Sequence, residues 1–168
     1  MNRPAPSRAD PLQDRRLTLA GLVHEVASGL EDRFRHGLAG SGLSAVWFDL
    51  LLRLARSPGH RLRMTDLAAQ TALTPSGLTR AVDRLADEGL VQREACDTDR
   101  RGAWAVVTPR GLEALRAAVA VHLEDVQAHL IDPLTPAERD QLEATLRKLR
   151  DHVRPDAAQL TPEPSLTG

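Results

Sequence analysis

Aromatic residues are nearly missing from this chain: two Trp, two Phe and no Tyr among 168 residues. A core must therefore be built from Leu, Val and Ala. A platform on which successive bases of a single strand stack would want more rings than these. There is one cysteine, Cys96, which excludes an internal disulfide and fits a reducing compartment. No apolar run reaches membrane-spanning length, because the strongest, residues 46–54, is interrupted by Asp49 and Arg53. The opening MNRPAPSRADPLQDRR lacks the apolar centre of a signal peptide, so the expected location is cytoplasmic, with no membrane partner. Phosphate-cradling glycine loops, a nucleophile elbow and a recognisable pair of catalytic carboxylates are also lacking, so neither an enzyme nor a cofactor is expected. Histidines 24, 36, 122, 129 and 152 show no tight ligand spacing, and no metal site is expected. Finally, the chain has little net charge, formally −1 at pH 7.

What is present centres on residues 65–111. Thr74 suits a helix N-cap, and Pro75 suits the first helical position, where its missing N–H costs nothing. Leu78, Ala81, Val82 and Leu85 then recur at helical spacing and should face inward. That leaves Ser76, Gly77, Thr79, Arg80, Asp83 and Arg84 on the outer face. Gly89 can take the left-handed conformation that ends a helix, with Leu90 folding back on Leu85. Before it, Thr65 is a candidate cap for a shorter helix packed through Leu67, Ala68 and Thr71. Residues 72–74 form a connection of the length that joins a helix-turn-helix. After Leu90 the period becomes two: Val91 and Arg93 alternate with Gln92 and Glu94, then Ala103, Ala105 and Val107 with Trp104 and Val106. The polar residues 96–102 make the tip of this hairpin, and Leu62 with Met64 suggests a short strand beside it. Helix, helix, hairpin is the order of a winged helix-turn-helix.

The run Asp99-x-Arg101 followed by Val107-Thr108-x-x-Gly111 resembles the wing signature of the MarR family of bacterial transcriptional regulators. The likeness extends from about Leu17 to Val153, and it departs from the usual pattern at Ala105, where Val or Ile is usual. The expected fold is mainly α with a small β-hairpin wing: a winged helix-turn-helix plus long N- and C-terminal dimerisation helices.

The flanks fit that division. Residues 1–14, rich in Pro, Arg, Asp and Ser, read as a disordered arm. In residues 15–42, Leu19, Leu22, Val26, Leu30 and Phe34 mark a long helix broken by Gly37, Gly40 and Gly42. Residues 43–110 form the winged domain, opening on a helix capped by Ser44 and apolar on nearly every face, hence buried. In residues 111–153, Leu112, Leu115, Val119, Leu123, Val126 and Leu130 stripe one helix. A capping box at Thr135 and Glu138 opens another, with its seam at Leu142, Leu146, Leu149 and Val153. Residues 154–168 read as a disordered tail. These terminal stripes exceed what one small winged domain can cover, which predicts a homodimer, as the resemblance also implies.

A strongly basic domain is the usual footprint of nucleic-acid binding. Here residues 61–110 hold eight Arg against seven acidic residues, so positive potential must come from a few placed side chains. The expected DNA-binding set is Thr74, Pro75, Ser76, Gly77, Thr79, Arg80, Arg84, Arg100 and Arg101, with Asp99 supporting the wing turn. Two-fold dimers set their recognition helices in successive major grooves, about 34 Å apart, so the operator should be a pseudo-palindromic duplex. Repression is the default mode, since a compact dimer on a promoter blocks polymerase by occupancy. Arg80 has a plainer role to exclude, pairing with Asp83 or Asp87, and Arg84 has one in pairing with Glu88.

The resemblance further implies a small aromatic or anionic effector bound between the winged domain and the dimer helices. Trp47, Asp49 and His24 are the candidate pocket residues. Asp49 stands among apolar neighbours, and either pairs with Arg53 one turn on or serves as a pocket-edge switch. A urate-responsive subgroup uses a similar Asp and arginines together with a Trp in the first helix. Residues 17–39 contain no Trp, which argues against urate. The alternatives are a winged-helix module that binds a protein and no DNA, or a metal- or redox-responsive regulator of the same fold, Cys96 being the thiol concerned.

Overall fold

Local caps set most helix boundaries. The computed structural model describes residues 10–96 and 99–155, apart from the side chains of 96–101. Asp14 opens α1 (Arg15–Gly37) by accepting the Arg16 N–H at 2.9 Å. Just before it, Asp10 caps a 3-10 turn over Pro11–Gln13, so regular backbone begins inside the stretch expected to be a mobile arm. Ser44 opens α2 (Ala45–Arg56), its hydroxyl accepting the Trp47 N–H at 3.2 Å. Phe48, Leu50, Leu51 and Leu54 of α2 are buried and form the middle of the core. The helix is not covered all round, since Val46 stays 43% exposed.

A tight turn with Gly59 and His60 both at positive φ leads into β1 (Arg61–Arg63) and α3 (Met64–Gln70). Two expectations need correcting here. Met64 belongs to the helix, and the N-cap is Arg63 with no side-chain bond, so Thr65 caps nothing. Helix α4 (Pro75–Asp87) starts as expected, Thr74 Oγ1 accepting the Gly77 N–H at 3.1 Å. It ends on Gly89 at φ 69°, where the Gly89 N–H bonds the Ala86 carbonyl and the Leu90 N–H bonds that of Leu85, both at 2.9 Å. That pair of bonds satisfies carbonyls the helix end would leave open, and it turns Leu90 into the core.

Strands β2 (Val91–Cys96) and β3 (Asp99–Val107) form an antiparallel hairpin, and β1 pairs with the other side of β3, in the order β1-β3-β2. Ala105 lies in the middle, opposite Leu62 on one side and Arg93 on the other, and is fully buried despite its small size. Helix α5 (Pro109–Val126) is started by Thr108 and runs into a π-helical turn at Gln127–Ile131. The reciprocal capping box of Thr135 and Glu138 then opens α6 (Pro136–Val153). Neither α1 nor α6 contains a buried residue in the single chain. Leu19 is 65%, Leu22 52%, Val26 56% and Leu149 49% exposed. The core sits instead under the winged domain, where α2, α3, α4, the sheet and the first half of α5 converge. Among the described residues no single helix is long and apolar enough to cross a membrane.

Candidate nucleic-acid interface

Helix α4 separates its residues by face. Leu78, Val82 and Leu85 are buried, while Ser76, Thr79, Arg80 and Arg84 are exposed. Thr74, Pro75 and Ser76 sit together at its start, the Thr74 and Ser76 hydroxyls 3.4 Å apart. Thr79 Oγ1 donates to the Pro75 carbonyl at 3.0 Å, so its one hydroxyl proton is engaged within the helix and its oxygen remains free to accept. A Cβ at Gly77 would stand 3.0 Å from Thr74 Oγ1. The missing side chain therefore lets the capping hydroxyl close on the helix end, a role that the sequence did not reveal.

The arginines depend on a competition for Asp83. Its carboxylate is held at 2.7 Å by Nη1 of Arg93, on β2, and not by Arg80. Among the described residues neither Arg80 nor Arg84 has an ion pair, so the Asp87 and Glu88 pairings do not form. Two long guanidinium side chains are left beside the hydroxyl groups on one exposed face. Asp99, Arg100 and Arg101 lie in the backbone of β3, and their side chains, like that of Cys96, fall outside the described ones. On the outer face of the sheet, Arg61 and Arg63 stack on the Trp104 ring, 4.7 and 5.3 Å from its centre. That cluster was not anticipated, because it joins residues forty apart in the chain only through the β1–β3 register.

The candidate effector residues are not joined to one another by any hydrogen bond, ion pair or ring contact among the described residues. His24 is exposed on α1, Trp47 is half-buried against the core, and Asp49 takes the plainer of its two roles, an ion pair with Arg53 at 2.9 Å. A different group meets where α1, α2 and α5 converge. The His122 ring lies edge-on to Phe34 at 4.6 Å and tilted against Phe48 at 4.8 Å. Burial pushes the His122 pKa down, and the neighbouring Asp125 carboxylate offsets part of that. His122 Nδ1 and Asp125 Oδ2 are both buried and have no hydrogen-bond partner among the described residues. His122 interrupts the apolar stripe of α5, which was the one sign of this cluster in the sequence. Among the described residues no three His, Cys, Asp or Glu side chains gather as a metal ion would require.

Residues 41–102, spanning α2 to the wing, match the MarR family profile. AbsC, a MarR family transcriptional regulator from Streptomyces coelicolor, superposes with a TM-score of 0.78 at 34% identity, over 87% of this chain and 99% of that one. The chain belongs to the MarR family. A second member from Streptomyces coelicolor, Sco3205, was solved in complex with DNA. It aligns at 37% identity and a TM-score of 0.74 over 82% of this chain and 90% of its own. The transcriptional repressor MprA of Escherichia coli K12 is 27% identical over 143 residues, covering 85% of this chain and 81% of its own. Family members are transcriptional regulators and not enzymes, in keeping with the lack of catalytic motifs. The likeness to AbsC extends past the winged domain, so the long terminal helices belong to the family architecture as well.

Proposed function

We propose that this protein is a DNA-binding repressor that acts as a homodimer on a pseudo-palindromic duplex operator and is released by a small aromatic or anionic ligand. The observation that carries the reading is the exposed face of α4. Ser76, Thr79, Arg80 and Arg84 project together, and the one acid between them, Asp83, is already neutralised by Arg93. Arg80 and Arg84, with no ion-pair partner among the described residues, suit bidentate contact with guanine edges and phosphates. Thr74, Pro75 and Gly77 shape the helix start that approaches the backbone. Arg100 and Arg101 enter the minor groove beside it, where narrow A·T stretches concentrate negative potential, and Asp99 holds the turn.

Dimerisation is supported by α1. An amphipathic helix stays folded chiefly through burial of its apolar face, and this one has no fully buried residue in the single chain, with Leu19, Leu22 and Val26 each more than half exposed. A second copy laid against α1 and α6 would cover Leu19, Leu22, Val26, Leu149 and Val153. For the effector, support comes from the meeting of α1, α2 and α5 around Phe34, Phe48 and His122, where His122 Nδ1 and Asp125 Oδ2 are buried with no hydrogen-bond partner among the described residues; the candidates His24, Trp47 and Asp49 lie on α1 and α2. A ligand lodged there would press on the helices that set the separation of the two recognition helices.

Fluorescence anisotropy against duplexes tiled across the upstream intergenic DNA tests the core of the proposal, with multi-angle light scattering on the same sample. A dimer that selects one palindromic fragment supports it. A monomer, or equal binding to every fragment, favours a winged-helix module that docks on protein. A thermal-shift screen of phenols and dicarboxylates tests release, and the effector is withdrawn if none raises the melting temperature.

A further inference from the structure

We infer that the Asp83–Arg93 ion pair is a positioning device for DNA recognition, fixing the angle of the wing against α4 so that both reach one half-site together. The inference rests on the DNA-binding reading above and concerns two residues which that reading does not place on the DNA.

Among the described residues, the Arg61–Glu94 ion pair at 3.8 Å and the β1–β3 pairing brace the sheet within itself, and the one ion pair from β2 to α4 is Arg93–Asp83. The base of the wing is anchored by burial, with Leu90, Val91 and Val107 all in the core. Further along, the face that continues from Val91 carries Arg93 and Ala95 on β2, opposite Ala105 and Ala103 on β3. Ala95 is exposed and Ala103 half-buried, and alanine methyls bury too little apolar surface to fix an angle. At that point Arg93 reaches across to Asp83, with Nη1 2.7 Å from Oδ1, and joins edge strand β2 to the recognition helix. The strand is therefore held to α4 by a directional bond where apolar packing gives out.

The geometry also separates this role from a structural one. The side chains of Arg93 and Asp83 are 39% and 50% exposed, and exposed pairs contribute little to folding stability. Their effect on the duplex is twofold, and the two parts have opposite signs in one variant. Asp83→Asn removes a negative charge from the face turned to phosphate, which by charge alone strengthens binding to every duplex. The same change weakens the tie to the wing, because a neutral amide oxygen accepts the Arg93 N–H less strongly than a carboxylate, and this weakens binding only where helix and wing must fit the same site.

The experiment compares the wild-type chain with Asp83→Asn on the palindromic fragment and on a random duplex, and follows amide hydrogen exchange in the free proteins. The expected result is operator affinity reduced about tenfold, with random-duplex affinity unchanged or higher. Amides of β2 and β3 should exchange faster while those of α2 keep their protection. Operator preference and exchange both equal to wild type overturn the inference, as does a parallel gain on both duplexes, which would leave charge as the whole effect. If the wild type shows no operator preference but the exchange difference persists, the DNA reading fails and the tie between helix and wing is upheld.

Discussion

Gly111 is where local preference and tertiary packing make opposite predictions. It occupies the first turn of α5, where alanine is the better helix former by about 1 kcal/mol, so Gly111→Ala considered alone should stabilise. In the folded chain the new Cβ would lie 2.1 Å from the Leu90 carbonyl oxygen and 2.9 Å from Val107 Cγ2. Heavy atoms prefer roughly 3.5–4.0 Å, so the helix start or the Gly89–Leu90 turn must retreat by about 1 Å or more. Neither is free to do so. The Leu90 oxygen accepts the Thr108 N–H at 3.0 Å and its hydroxyl at 3.2 Å, and that hydroxyl also caps α5 through the Gly111 N–H at 3.0 Å. Overpacking of this kind costs about 1–3 kcal/mol, and loosening the cap adds about 1 kcal/mol. After the gain in helix propensity the variant should be less stable by about 1–3 kcal/mol. For a chain of this size that lowers the melting temperature by roughly 2–12 °C. Thermal melting followed by circular dichroism, at matched protein concentration, measures it. A melting temperature at or above wild type would refute the packing argument and leave helix propensity in control.

Other perturbations bear on single links. Gln70 is 5% exposed with Nε2 lacking a partner among the described residues, so Gln70→Leu should raise stability by about 1 kcal/mol in urea unfolding, and a loss would mean that the amide is satisfied in solution. The folded-state pKa of His122 lies below its ordinary value of 6.5, so the unfolded chain binds its proton more readily. Stability is then fully present above that value and is lost as pH falls toward the folded pKa. Melting temperatures from pH 7.5 down to 5 should fall less steeply in His122→Gln, and parallel curves would contradict the burial argument. In the wing, Arg101→Ala should weaken operator binding at least tenfold, about 1–3 kcal/mol, and flatten its salt dependence. Equal affinity and equal slope would remove the wing from the interface.

The features legible from the sequence were those closed within one turn of chain. Ser44, Thr74 and Thr135 each cap a helix through a bond to the residue three positions on, and each was recognisable from its neighbours. The Schellman end at Gly89 is equally local. Thr65 failed as a cap for a related reason: β1 hands over directly to α3 at Arg63, and strand pairing with β3 determined where the helix could begin. Asp49 and Arg53, four apart on one helix, were a recognisable pair. Asp83 offered several equally local partners, and sequence spacing does not rank them.

By itself, the sequence determined the order of elements, the face that α4 buries and the family, because periodicity, capping and turn chemistry act between near neighbours. Tertiary structure alone decided which cation takes Asp83, why no side chain fits at Gly111, and that His122 meets Phe34 and Phe48. Those outcomes depend on approaches of a few ångströms between segments ten to ninety residues apart. Such distances are set by how whole helices and strands pack, and no local preference encodes them.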